Sequence, residues 1–438
     1  MIEMSGGARY LQADRSQPSW DLLDLEALLE PDHRARVVWA FVETLELGPF
    51  YAAIGSRVGE AGRPPPDPKV LLALWLYATL QGVGSARELD RLVTRDLAYR
   101  WLAGGVAVNY HGLADFRVAW SEELDRLLSE SVAALVSEGL VSLEELAVDG
   151  TKVRAPAGAG SFTRGGRLER IEAAAKARIE ALKSELEADP AAASRRQTAA
   201  RMRAAREMSE KVAKAREALE RLRAEKKKRS KTHPEDEKKR GDPSVSLSDP
   251  EARRMRFHDG SIRAGYNIQT AAEPVSGIVA WVQATDRRND TGLALPMVEA
   301  IAQRYGLAPS RLLLDQGYAS MSDIAAMAVH PQGPVTVYSP VPAEKPQDQL
   351  TPAGRDSRRF KYRKEPQAVK DWRARMQTGP AQDIWRRRKL IERVHAHYKQ
   401  RGFGVLSVRG LLKAQALALW QALANNLLVA NRLRTAAA

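Results

Sequence analysis

The sequence predicts a mixed α/β domain that follows an all-helical N-terminal segment and is interrupted by a helical insertion. Three patterns lead there. Residues 1–140 read as helices separated by Pro and Gly breaks. Apolar residues then recur at three- and four-residue steps from Leu168 to Leu222. Beyond residue 260, short β-rich runs precede an alternation of strand and helix.

In PPPDPKVLLALWLYATLQGVGS the prolines stand just before a helix and the glycines after it. Ser85-Ala-Arg-Glu88 has the capping-box pattern for a second, continuous helix in ELDRLVTRDLAYRWL. A third is expected in GLADFRVAWSEELDRLLSESVAALVSEGL. Three short helices with exposed bases fit a helix-turn-helix reader of DNA and fit an ordinary helical bundle equally well.

The run LAVDG in LEELAVDGTKVRAPA reads as a core strand that surfaces at its acid and glycine. Next, Leu168, Ile171, Ala175, Ile179, Leu182 and Leu186 form one helical stripe, which Asp189-Pro190 ends. Met208, Val212, Ala215, Leu219 and Leu222 form a second, so a helical hairpin with antiparallel arms is expected. Residues 201–240 hold 16 Lys and Arg against 8 Asp and Glu, a net of +8. The stretch RAEKKKRSKTHPEDEKKRGDPSVSLSDPEARR reads as a flexible linker. GYNIQTAAE and GIVAWVQATD, joined by Pro-Val-Ser-Gly, read as a strand hairpin. A helix in TGLALPMVEAIAQRYG, a buried strand in SRLLLDQGYAS, a helix in MSDIAAMAVHPQG and a strand in PVTVYSP follow. Residues 341–380 are polar and read as a loop, and helices close the chain around Glu392 and in KAQALALWQALANNLLVANRL.

Composition narrows the function. The formal charge is +14 over 438 residues, which points to a polyanionic partner. Nucleic acid is favoured over a membrane, because no apolar run approaches the roughly 18 residues of a span. The opening MIEMSGGARYLQADRSQ lacks the basic-then-apolar order of a signal peptide, and a bacterial cytoplasmic, nucleoid-associated location is expected. With no cysteine, disulfides, thiolate zinc sites and cysteine nucleophiles are excluded.

Against that basic background three acids stand out. Asp149 and Asp315 each follow an apolar run and precede glycine, in LAVDG and LLLDQG. Glu392 is the single acid among eleven Lys and Arg from residue 384 to the end. Two aspartates at neighbouring strand ends and a glutamate from a helix would make an all-oxygen cage for two Mg²⁺ or Mn²⁺ ions. The competing reading is that both Asp-Gly segments are ordinary turns and Glu392 a helix ion-pair partner. His395 and His397 lie about 200° apart around a helix and cannot chelate one metal together.

These residues carry a resemblance. The chain is similar to bacterial insertion-sequence DDE transposases, in the branch with a tyrosine, arginine, glutamate, lysine signature spaced by two, three and six residues. Trp385, Arg388, Glu392 and Lys399 have that spacing, with tryptophan in the place of tyrosine. Asp149-Gly150-Thr151-Lys152 and Asp315-Gln316-Gly317-Tyr318 resemble the motifs of the first two acids. Gly265-Tyr266-Asn267-Ile268-Gln269 resembles the family's second strand, and Asn289-Asp290 its polar pair after the third. The segment from Pro64 to Arg117 resembles the family's N-terminal DNA-binding domain.

The resemblance implies an RNase H-like core with a five-stranded mixed sheet. It implies a helical DNA-binding or dimerisation domain over 1–140 and a core begun in 141–165. A helical-hairpin insertion with basic linker would fill 166–250, and the core would be completed in 251–438. It also implies that Asp149, Asp315 and Glu392 are catalytic and hold two Mg²⁺ or Mn²⁺ ions. Lys152, Trp385, Arg388 and Lys399, with Arg386, Arg387 and Arg393, would contact DNA. The implied partners are the double-stranded terminal inverted repeats and target DNA, for a homodimer that cleaves and then transfers 3′-hydroxyl ends. A DNA-binding regulator that no longer cuts, and a nuclease without strand transfer, remain as alternatives.

Overall fold

The computed structural model describes residues 24–56, 64–188, 195–232, 241–343 and 364–438. The expected break at Asp189-Pro190 and half of the polar stretch 341–380, residues 344–363, lie outside them. Among the described residues seven α-helices occupy the N-terminal part: α1 (Arg34–Glu43), α2 (Gly48–Ala52), α3 (Pro68–Leu80), α4 (Ala86–Arg95), α5 (Leu97–Ala103), α6 (Tyr110–Ala119) and α7 (Ser121–Ser137). In α3 every residue but Lys69 is buried, so its sequence is apolar all round rather than striped. Ser85 caps α4 by accepting the Glu88 N–H, as the capping box predicts.

Two helices expected to be continuous are broken. Asp96 adopts an extended conformation (φ −105°, ψ 133°) and its carboxylate accepts the Ala98 and Tyr99 N–H groups. A local side-chain cap there replaces helix continuation. The second break falls at Trp120 (φ −110°, ψ 36°), whose ring packs on Phe50 with centroids 4.6 Å apart.

The sheet is built on β1 (Glu145–Arg154), which pairs antiparallel with β5 (Ile262–Ala272) and parallel with β7 (Arg311–Leu313). β8 (Thr336–Tyr338) extends it beyond β7, parallel again. On the other edge, β4 (Arg253–Arg256) and β6 (Val279–Thr285) lie end to end along β5, both antiparallel to it. The sheet thus has six strands where five were expected, though it is five positions wide. The sixth, β4, comes from the stretch read as a linker. That reading fails in the described residues for a second reason, because residues 223–232 continue a helix and Val245–Ser246 (β3) pairs with Phe162–Thr163 (β2).

The hairpin arms are α8 (Gly165–Ala188) and α9 (Arg195–Thr232). Leu168 packs with Val212, Ala215, Leu219 and Leu222, and Leu182 with Met202 and Ala205, which is the antiparallel arrangement. Met208, expected in the stripe, is 42% exposed; Ala205 and Met202, about one and two turns earlier, are buried against Leu182 instead. At the hairpin root the Arg253 guanidinium is buried between Asp286 and Glu225, and Arg221 also reaches Asp286 at 3.0 Å.

Between strands and after them run α10 (Ala294–Tyr305), α11 (Met321–Met327), α12 (Gln367–Arg375), α13 (Gly379–Arg386), α14 (Ile391–Gln400) and α15 (Leu411–Ala437). Residues 367–375, expected in a loop, are therefore helical. α15 covers the free edge of β6 with its amides. Asn426 accepts from the Val279 N–H and donates to the Val279 carbonyl, each at 2.8 Å, and Gln415 does the same for Ala284 and Val282. This satisfies backbone groups that an edge strand would otherwise leave open. Side chains from α1–α7, from α10–α15 and from the sheet belong to one continuous core, whereas the hairpin arms pack in clusters of their own. Among the described residues no helix is long and apolar enough to cross a membrane.

Candidate active site

Asp149 lies inside β1, because pairing with β5 continues through it to Arg154, and not at the strand's end as expected. Its neighbour on the other side stops early. β7 ends at Leu313, so on that side β1 is unpaired from Val148 to Val153 among the described residues, until Arg154 bridges Val405. The register Ala147↔Leu313 sets Asp315 level with Asp149 across this gap. Asp315 itself is exposed and opens a 3₁₀ turn, its carboxylate accepting the Gln316 N–H at 2.7 Å.

The third acid arrives from a helix that is less regular than expected. Between α13 and α14, residues Arg387–Leu390 wind as a 3₁₀ turn, so Arg388 and Glu392 do not share one ideal α-helix. They still meet: Arg388 Nη2 lies 3.8 Å from Glu392 Oε1, and Arg388 Nη1 lies 3.6 Å from Asp149 Oδ1. His395, one turn after Glu392, places Nδ1 3.5 Å from Asp149 Oδ2. Burial alone would push the Asp149 carboxyl up, but the His395 contact, the His395 and Arg388 charges and the Gly150 N–H together hold it below the ordinary carboxylate value. His397 points to solvent, so the two histidines are separated as the helix period requires.

Asp149, Asp315 and Glu392 line one open cleft of about 690 Å³, together with Lys152, Lys399, His258, Asn267, Asp290 and His395. The other basic positions do not line it. Trp385 is partly buried and its indole N–H donates to the Leu314 carbonyl at 2.9 Å, one residue before Asp315. Arg387 pairs with Glu145 at 2.6 Å, Arg393 donates to the Pro274 and Val275 carbonyls, and Arg386 pairs with Asp383. Lys152 donates to the Arg256 carbonyl at 2.8 Å, whereas Lys399 is exposed on the cleft.

Two contributors were missed in the sequence. His395 could have been found from its three-residue step to Glu392, which sets both on neighbouring turns. Asp290 was noticed as half of a polar pair but given no role. Its Oδ1 accepts from Asn267 Nδ2 and Gln269 Nε2, both at 2.8 Å, and Gln269 Oε1 in turn accepts the Tyr318 O–H. Burial first, and then the negative charges of Asp290 and Asp149, push the Tyr318 phenol well above its ordinary value, so it remains a donor.

Gly150 makes this clamp possible. A Cβ there would stand 2.5 Å from Gln269 Nε2, 2.8 Å from Asn267 Oδ1 and 2.9 Å from Asp290 Oδ1.

The donor set suits a hard divalent cation: carboxylates, a buried amide oxygen on Asn267 without a hydrogen-bond partner, and no sulfur. Among the described residues no three acidic or imidazole groups stand close enough together to enclose an ion, and Asp149 is engaged by Arg388 and His395.

Residues 23–118 match the family described as transposase domain (DUF772), and residues 228–427 match the transposase DDE domain. The second match contains Asp290, Asp315 and Glu392, whereas Asp149 and most of the hairpin fall between the two. No curated protein and no solved structure matches the chain. Two transposase families matched in tandem, on a mixed sheet with Asp149 inside β1 and Asp315 two residues beyond β7, identify the chain: it belongs to the insertion-sequence DDE transposases.

Proposed function

We propose that the chain binds the terminal inverted repeats of its own element, cleaves the DNA there and transfers the freed 3′-hydroxyls to target DNA, acting as a homodimer. The observation that carries this reading is the convergence of Asp149, Asp315 and Glu392 on one open cleft that also bears Lys152 and Lys399. Converging carboxylates repel a phosphodiester unless cations intervene. These three acids are the residues that would hold two Mg²⁺ or Mn²⁺ ions. When bound, such ions supply an activated water or 3′-hydroxyl and stabilise the charge on the leaving oxygen.

The protein's own groups have distinct tasks in this reading. Lys399 and Lys152 grip phosphates on either side of the scissile bond. Arg388 bridges Asp149 and Glu392. Transfer of its guanidinium to a phosphate would release both carboxylates as the substrate arrives, coupling site assembly to DNA binding. Trp385 holds the backbone beside Asp315 through Leu314, a positioning task for which an indole N–H suffices. Arg386, 62% exposed, contacts DNA backbone without regard to sequence.

The test is cleavage of end-containing DNA by Asp149→Asn, Asp315→Asn and Glu392→Gln. Each should abolish Mg²⁺-dependent cutting and leave end binding nearly unchanged. Full cutting by any one removes that residue from the scheme. A product assay with labelled 3′ ends should show joined molecules; cut but never joined ends would make the chain a nuclease instead.

A further inference from the structure

Asp290 stands in the loop between β6 and α10 and lines the same cleft as the three acids. Both hydrogen bonds it receives go to Oδ1, from side-chain amides that are themselves buried, Asn267 at 1% and Gln269 at 0% exposure. The Tyr318 O–H fixes the Gln269 amide with its oxygen toward the phenol and its nitrogen toward Asp290. The carboxylate is thus oriented by two neutral donors, while Oδ2 accepts no hydrogen bond among the described residues. That oxygen faces Gly317, two residues after Asp315, where a Cβ would stand 3.7 Å from it.

Two further observations point to a ligand here. Asn267 Oδ1, inside the protein and beside the clamp, has no hydrogen-bond partner. No cationic side chain among the described residues pairs with Asp290, although Asp149 is close enough for both to act on Tyr318. A carboxylate oriented by neutral amides next to other acids is stable when a cation shares it.

The sheet explains how it reaches the same place. Opposite residues in an antiparallel pair share a face, so Gly150 and Gln269 lie on one face and Asp149 and Thr270 on the other. α14 brings Glu392 and His395 to the Asp149 face, and the Asp290 clamp covers the Gly150 face. Because β7 has ended, both faces open into one cleft.

We infer that Asp290 is a fourth carboxylate donor to the divalent cation held beside Asp149 and Asp315, oriented for that task by Asn267 and Gln269. The inference rests on the metal-dependent reading above, and its test separates the two. The native full-length chain is titrated with Mn²⁺ by calorimetry, beside Asp149→Asn and Asp290→Asn. Asp290→Asn should weaken Mn²⁺ binding by about tenfold or more, in a chain that still unfolds cooperatively in urea with EDTA present. The native chain has no cysteine, so Asp290→Cys adds a direct probe. A thiolate-to-Cd²⁺ charge-transfer band should appear on adding Cd²⁺ and should vanish when Asp149→Asn is combined with it.

Native-like Mn²⁺ affinity in Asp290→Asn, or a folded Asp290→Cys chain with no band or with a band indifferent to Asp149, would overturn the role of Asp290 alone. Failure of the native chain to bind Mn²⁺, or binding untouched by Asp149→Asn, would instead bring down the metal-dependent reading. Should Asp290→Asn fail to fold, the Cd²⁺ band decides by itself.

Discussion

Gly150→Ala is the sharpest perturbation the structure offers, because one methyl group would enter the Asp290 clamp. The added Cβ would lie 2.5, 2.8 and 2.9 Å from polar atoms of Gln269, Asn267 and Asp290, all inside van der Waals contact. Those side chains cannot swing into solvent, since Gln269 and Asn267 are buried and bonded to Asp290 and Tyr318. Relief therefore breaks at least one charge-assisted hydrogen bond, worth about 1.5–3 kcal/mol, or forces overpacking at about 1–3 kcal/mol. A loss of roughly 1–3 kcal/mol is expected on these terms. Urea unfolding of the full chain measures it, with Gly160→Ala as control, since nothing lies within 4 Å of a Cβ there. The cost should shrink when Asp290→Ala is present as well, because the two changes act on one cluster. Native stability in Gly150→Ala, or a cost that ignores Asp290→Ala, would refute the crowding argument.

Three other outcomes are expected. Asn426→Ala strips two hydrogen bonds from the backbone of Val279 at a buried strand edge and should destabilise by roughly 2–3 kcal/mol in urea unfolding. Asp149 carries a pH signature: its folded carboxyl lies below the ordinary value. Its contribution is complete above the unfolded carboxylate pKa and is lost as pH falls through the depressed folded one, so the native chain should lose more stability than Asp149→Asn between about pH 5 and pH 3. Equal losses would contradict the Arg388 and His395 contacts. Trp385→Phe keeps the ring but removes the donor to Leu314; stability should fall by about 1 kcal/mol, and cleavage should fall by more than that loss of folded protein explains. A variant that cuts at the native rate would show that the indole N–H does not position Asp315.

Much of the architecture is written in local pattern. The stripe from Leu168 to Leu182, the capping box at Ser85 and the short apolar runs around Asp149 and Asp315 each report a decision made within a few residues. Side-chain volume, branching and hydrogen bonding to the nearby backbone suffice for it. For the same reason the isolation of Glu392 among bases was visible without coordinates.

Where local pattern misled, a contact distant in the chain or a cap decided the outcome. Asp96 ended a helix whose apolar period runs on, and β4 formed from apparent linker because β5 offered it an edge. The cleft depends on such contacts throughout. That Asp149 has no parallel neighbour, five residues before its strand ends at Arg154, follows from the length of β7, more than 160 residues later in the chain. That Gly150 faces Gln269 follows from the β1–β5 register, across the whole helical hairpin. A sequence by itself determines which residues are able to ionise, coordinate or cap. Which of them meet is decided only when strands with more than 100 residues between them settle into one register, since shifting that register by one residue would turn the Asp290 clamp away from Gly150.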